Sequence, residues 1–164
     1  MRTATLLLLL LALAGCRVNY GFTGGDPGNA RTLSVDLFQT GAPLASPNVA
    51  QVCTETVRDL LLAQTPLKLA RTDGDVQYSG TIVGYDVQPV SIQANESAAL
   101  NRLTITLSVT YVHTLEPAKN TTFTIARFAD YSSSQDLITV EENLVREISK
   151  QLAQDIFDRT LGNW

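Results

Sequence analysis

Histidine is nearly absent from this chain of 164 residues, His113 being the only one. That removes most metal clusters, which draw on several imidazole or thiolate donors, and it starves a serine or cysteine nucleophile of a base. Cysteine is scarce too, limited to Cys16 and Cys53. Basic runs are missing: nine arginines and three lysines lie scattered among sixteen acids, for a net charge of −4. A nucleic-acid binder would show a basic stripe and a protein drawn to anionic lipid a polybasic cluster, so neither partner is expected through bulk charge. The one long apolar run, Leu6 to Ala14, is about half the ~20 residues a spanning helix needs.

What is present starts at that run. Met1-Arg2 precedes it and Leu13-Ala14-Gly15-Cys16 closes it. One positive charge, a short apolar core and small residues before a cleavage point are the layout of a secretory signal. Leu-Ala-Gly-Cys resembles the bacterial lipobox, in which the cysteine is acylated and becomes the new N-terminus once residues 1–15 are removed. Cys16 is therefore the expected lipidation site. Several acyl chains on one residue hold a bilayer far better than one. No Asp adjoins Cys16, and Arg17-Val18-Asn19-Tyr20 begins no acidic run. That resembles a lipoprotein sent to the outer membrane and left facing the periplasm. Loss of Arg2 with the leader takes the net charge from −4 to −5. A lipidated Cys16 leaves Cys53 without a partner, which excludes an intramolecular disulfide.

Along the mature chain, residues 16–30 are rich in Gly, Asn, Asp and Pro and read as a lipidated tether, with a short strand at Tyr20–Phe22. Residues 31–164 read as one α+β domain, a length that can bury a core unaided. Leu33, Val35 and Leu37 alternate with Ser34, Asp36 and Phe38 as a strand. Ser46-Pro47 predicts a helix start, with a capping hydroxyl before a first-turn proline. The helix should stop near Thr65, before Pro66. Leu67–Leu69 and Val76–Val90 read as strands, though the pattern weakens from Gln88 into a loop that runs to Ala99. Leu103, Ile105, Leu107, Val109 and Tyr111 alternate strictly with Arg102 and Thr/Ser, the clearest strand in the chain. A turn at Glu116–Asn120 links it to Thr121–Tyr131 as an antiparallel hairpin. Val140, Leu144, Ile148, Leu152 and Ile156 step by fours along a closing helix from Leu137 to Leu161. The predicted fold is a two-layer α+β sandwich, an antiparallel or mixed sheet of about four strands with both helices on one face. Its Thr104, Thr106, Ser108 and Thr110 face is left polar, for water or a partner.

Catalytic chemistry finds few footholds. His113, at the end of an alternating strand, reads as a surface residue, and Cys53, among Val49, Val57 and Leu60, as a small core hydrophobe. The serines sit in no Gly-x-Ser-x-Gly elbow. Asp73 and Asp75 could offer oxygens to Ca²⁺ but read better as a solvated turn. No enzyme, cofactor or metal is expected. Arg102 and Arg127, beside the Gln93–Asn101 loop, are the candidate ligand-binding residues, because guanidinium forks suit phosphate and carboxylate. The competing reading pairs them with carboxylates such as Asp130.

The lipobox, Gly21-Phe22, the run Ala98–Thr106, Arg127-Phe128 and the closing amphipathic helix together resemble LptE, the lipopolysaccharide-assembly lipoprotein, in its Bacteroidota branch. The resemblance implies two helices on a four-stranded sheet. It implies no catalysis, but a plug and assembly partner for the outer-membrane barrel LptD, in contact with lipopolysaccharide. The competing expectations are a periplasmic lipoprotein subunit of another envelope lipid-transport or efflux machine, and a glycan-binding or hydrolytic surface lipoprotein.

Overall fold

The computed structural model describes residues 24–90 and 99–162. The signal segment, Cys16, the Tyr20–Phe22 strand and the tip of the Gln93–Asn101 loop lie outside them. The elements run β1 (Thr32–Val35), β2 (Gln39–Thr40), α1 (Pro47–Gln64), β3 (Lys68–Leu69), β4 (Val76–Val90), β5 (Leu100–His113), a 3₁₀ turn (Pro117–Lys119), β6 (Thr121–Ser132) and α2 (Leu137–Thr160). They form a six-stranded mixed sheet in the order β3-β1-β4-β5-β6, with β2 also on β4. β4, β5 and β6 are an antiparallel meander, while β1, β2 and β3 join in parallel. β3 is the strand expected at Leu67–Leu69, while β2, which was not expected, is two residues long and too short to carry a period in sequence.

The β5 alternation does what its period demands. Leu103, Ile105, Leu107, Val109 and Tyr111 are at most 1 % exposed under the helices, while the intervening residues stay partly open. α2 brings Leu144, Ile148, Leu152 and Ile156 down on them, and α1 adds Val49, Cys53, Val57 and Leu61. Both helices lie on that one face, as the stripes predict. Cys53 is core: its thiol is hydrogen-bonded to Ser149 at 3.1 Å, and burial pushes it away from the reactive thiolate. Asp136 caps α2 by accepting from the Ile138 N–H, whereas the Ser46 hydroxyl at the head of α1 makes no capping bond.

Several expectations change. The chain bends after Val35, so Leu37 is 61 % exposed and Phe38 takes the core position at 2 %. A Cβ on Gly80 would come within 3.1 Å of the Phe38 ring and 3.2 Å of Ser108 O, a tight fit that favours the glycine inside β4. The Phe38 N–H is held by the Thr54 hydroxyl of α1. β4 does not fade at Gln88 but stays paired to Val90, with Pro89 opposite Asn101, after a bulge between Ile82 and Gly84. Residues 25–30, expected as tether, are fastened to the body. Gly25 bridges Gly162, the Asp26 N–H bonds Leu161 O, and His113 Nε2 meets Pro27 O at 3.3 Å.

His113 is the main correction. It is fully buried, not a surface residue. It shares the inward parity of Leu103 to Tyr111, and the Pro27 segment folds back over it from 86 residues away, a contact no local pattern announces.

Three phenols sit in or beside this core. Burial pushes Tyr78, Tyr85 and Tyr111 upward, Tyr111 to about 12. An unfolded tyrosine ionises near about 10, so above that pH the folded chain keeps protons that the unfolded chain has shed. Their contribution is whole below about pH 10 and is lost as pH rises from there. Thermal melts between pH 9 and 11.5 should show a falling midpoint; a flat profile would mean the phenols are wet.

Candidate functional site

Among the described residues, the helices leave the other face of the meander open. The register lines its side chains into rows: Ser79–Thr110–Thr122, Thr81–Ser108–Thr124, Asp86–Thr104–Phe128 and Gln88–Arg102–Asp130. Hydroxyls dominate because every second residue of β5 between Leu103 and Tyr111 is Thr or Ser, and Thr110 and Thr122 are bonded to each other at 3.1 Å. At about 3.4 Å per residue the fourteen residues of β5 make a strip roughly 48 Å long.

At one end of the strip stands Arg102. Its Nε and Nη2 donate to both oxygens of Asp130 at 2.7 and 2.9 Å, and its guanidinium lies 3.6 Å over the Phe128 ring. The cation holds the Asp130 carboxyl below the usual carboxylate range. Arg127 is built the same way elsewhere: Nε and Nη2 donate to Asp155 of α2, each at 2.6 Å. The two arginines are not brought together. Arg102 has even parity and lies on the open face, while Arg127 pairs with Ile105 and points to the helix side. Leu100 and Asn101, expected in the loop beside them, belong to β5.

Pairing does not exhaust these groups. A guanidinium carries five N–H donors, and the Nε–Nη2 edge uses two. The Nη1–Nη2 end of each arginine is left for a second anion, with the plane already fixed by its carboxylate. Side-chain exposure of 36 % for Arg102 and 46 % for Arg127 leaves both reachable.

Other acidic side chains find structural employment. Asp75 accepts the Arg31 and Thr32 N–H groups, which hold its carboxyl low and fasten β1 to the head of β4. Glu141 accepts from the Tyr85 hydroxyl and Glu142 pairs with Arg146. Among the described residues no three His, Cys, Asp or Glu side chains are grouped to hold a metal, and no helix is long and apolar enough to cross a membrane. What the sequence reading missed is Phe128 as the platform for Arg102. The signal was available in the register, since Thr104 opposite Phe128 puts that ring next to Arg102 and Asp130.

Known structures with a similar chain course include a hypothetical protein from Chlamydia trachomatis, with a TM-score of 0.51 and 8 % identity, over 82 % of this chain and 99 % of that one. At that identity the likeness is one of fold. An uncharacterized lipoprotein B from Nitrosomonas europaea gives 0.49 at 12 % identity, covering 87 % and 88 %. A minor lipoprotein from Acinetobacter baumannii gives 0.45 at 17 %, covering 79 % and 91 %. No curated protein matches in sequence. The model of the LptE family, described as Lipopolysaccharide-assembly, matches residues 30–160, from just before β1 to the last residue of α2. The chain belongs to the LptE lipopolysaccharide-assembly family.

Proposed function

We propose that the protein is an outer-membrane lipoprotein, lipidated on Cys16 and facing the periplasm, that plugs and helps assemble the barrel LptD during lipopolysaccharide insertion. The observation that carries this, beside the family, is the open hydroxyl-rich sheet face. A wide outer-membrane barrel has a polar, water-filled interior, so a plug must offer it polar surface. Its greasy side chains must be spent internally, as those under the helices are. The protein acts without catalysis: it occupies, orients and contacts.

The test is a pull-down of the tagged, lipidated protein from detergent-solubilised outer membranes. One stoichiometric LptD-like barrel is expected; an inner-membrane transporter, or no partner, would overturn the reading. Arg102 and Arg127 are the proposed lipopolysaccharide contacts, each presenting the free end of its guanidinium to a phosphate. Replacing both with alanine is expected to weaken lipopolysaccharide binding about 10-fold or more, as for loss of charge-assisted bidentate contacts. The fold should be nearly unaffected, since ion pairs exposed to this degree contribute little. Unchanged binding would remove them from the site.

A further inference from the structure

Apart from the two-residue strands β2 and β3, the sheet has two long free strand edges among the described residues, and they are built differently. Beyond Ile82, β4 has no neighbour on its outer side, but that edge carries the bulge at Val83 and the proline at position 89. Bulges and prolines are the devices by which proteins block unwanted strand addition. β6 has neither. Its register with β5 is unbroken from Thr121 to Ser132. The Ser133 N–H bonds Ala99 O, which fixes the parity: odd residues bond β5, and the even ones turn N–H and C=O outward. Those are Thr122, Thr124, Ala126, Phe128, Asp130 and Ser132.

Charge does not guard this edge either. The two charged side chains of β6, Arg127 and Asp130, are both folded onto internal partners, Asp155 and Arg102. The rest are uncharged, and most are strand formers (Thr, Phe, Ile and Tyr), a composition open to pairing. Alongside the edge, on the helix side, runs an open groove of about 460 Å³ lined by Arg127, Lys150, Gln151, Gln154 and Asp155. Two cations there face one carboxylate, on a chain that is acidic as a whole.

We propose that β6 is a docking strand, to which an extended segment of a partner protein adds, with an acidic side chain seated in the groove against Lys150. Main-chain pairing would give affinity and the groove would give selectivity, the usual division in strand addition. A second copy of this chain fits poorly. The helix-side residues of β6 are Phe123, Ile125, Arg127, Ala129 and Tyr131, so a self-paired strand brings no carboxylate to the groove. A closed barrel has no strand edge to offer, so the segment comes from a non-barrel region and the inference stands apart from the plug reading.

The experiment compares amide hydrogen exchange in the full-length protein alone and in the complex purified from detergent-solubilised envelopes. On complex formation the Thr124, Ala126 and Phe128 amides should slow by about 100-fold or more, as paired strand amides do. Ala126→Pro deletes one outward donor and touches no bond to β5, so it should weaken association about 10-fold or more, while Ala126→Val should not. Lys150→Glu, on an exposed helix position, should weaken it comparably through charge, and it keeps the test alive if the proline variant folds badly. Equal exchange in the complex, full association of both the Pro and Glu variants, or a second copy as the bound strand would each overturn the proposal. A barrel recovered with β6 still exchanging freely sinks this inference alone; β6 protected by another protein with no barrel present sinks the plug reading alone.

Discussion

Replacing His113 with alanine is expected to cost about 3 kcal/mol of stability, within the range for large core truncations. The imidazole is wholly buried, lies edge-on to Tyr111 with ring centroids 6.4 Å apart, and is bonded on both sides. Nδ1 accepts the Glu116 N–H at 3.0 Å, so the proton sits on Nε2, which donates to Pro27 O at 3.3 Å. Truncation opens a void, strands the Pro27 carbonyl and leaves the Glu116 N–H only its longer bond to His113 O at 3.3 Å. The residue thus clasps the incoming 25–30 segment and the β5–β6 turn to the end of the sheet. His113→Phe separates the two effects: volume is kept, and the loss of polar partners alone should cost about 1–3 kcal/mol. Urea melts read both values, and limited proteolysis within residues 25–30 should accelerate in the alanine variant. A loss below about 0.5 kcal/mol, typical of surface changes, would show that the clasp is not closed in solution.

The second large effect belongs to Gly74. A Cβ there would lie 2.6 Å from Ser34 N, 2.8 Å from Leu33 C and 2.9 Å from Val76 O, all backbone atoms that cannot swing away. This is where β1 is drawn against the head of β4, with Leu33 opposite Val76. Gly74→Val must part the two strands, and a loss of about 3 kcal/mol or failure to fold is expected, at the upper end of overpacking costs. Gly24→Ala is the control, since a Cβ there meets nothing within 4 Å. Equal melting temperatures for the Val variant and the wild type would mean that β1 does not sit against β4 in parallel register.

These two positions differ from the functional candidates in what supports them. His113 and Gly74 are held by atoms on every side, so their loss registers as stability. Arg102 and Arg127 stand at the surface on fixed planes, and their loss should register in binding. A double-alanine variant that folds like the wild type but binds lipopolysaccharide normally would leave the open face with only its hydroxyl rows to explain.

The sequence alone determined whatever a local period can encode. Strict alternation from Leu103 to Tyr111 made β5 and told its two faces apart. The four-residue step from Val140 to Ile156 made α2. Pro66 and the turn residues Glu116–Asn120 set the punctuation, and Cys53 on an apolar stripe was legible as core. Tertiary structure alone decided what depends on partners distant in the chain. The Pro27 segment buried His113 across 86 residues, and Asp75 found Arg31 and Thr32 more than 40 residues back. β2, two residues long, became a strand only because β4 was there to receive it. Arg102 and Arg127 looked like neighbours in a hairpin, yet their odd and even separation from the pleat sent them to opposite faces. Periodicity is written in neighbouring residues, but a contact is settled only when two remote segments compete for the same space, and that competition ends in the folded core.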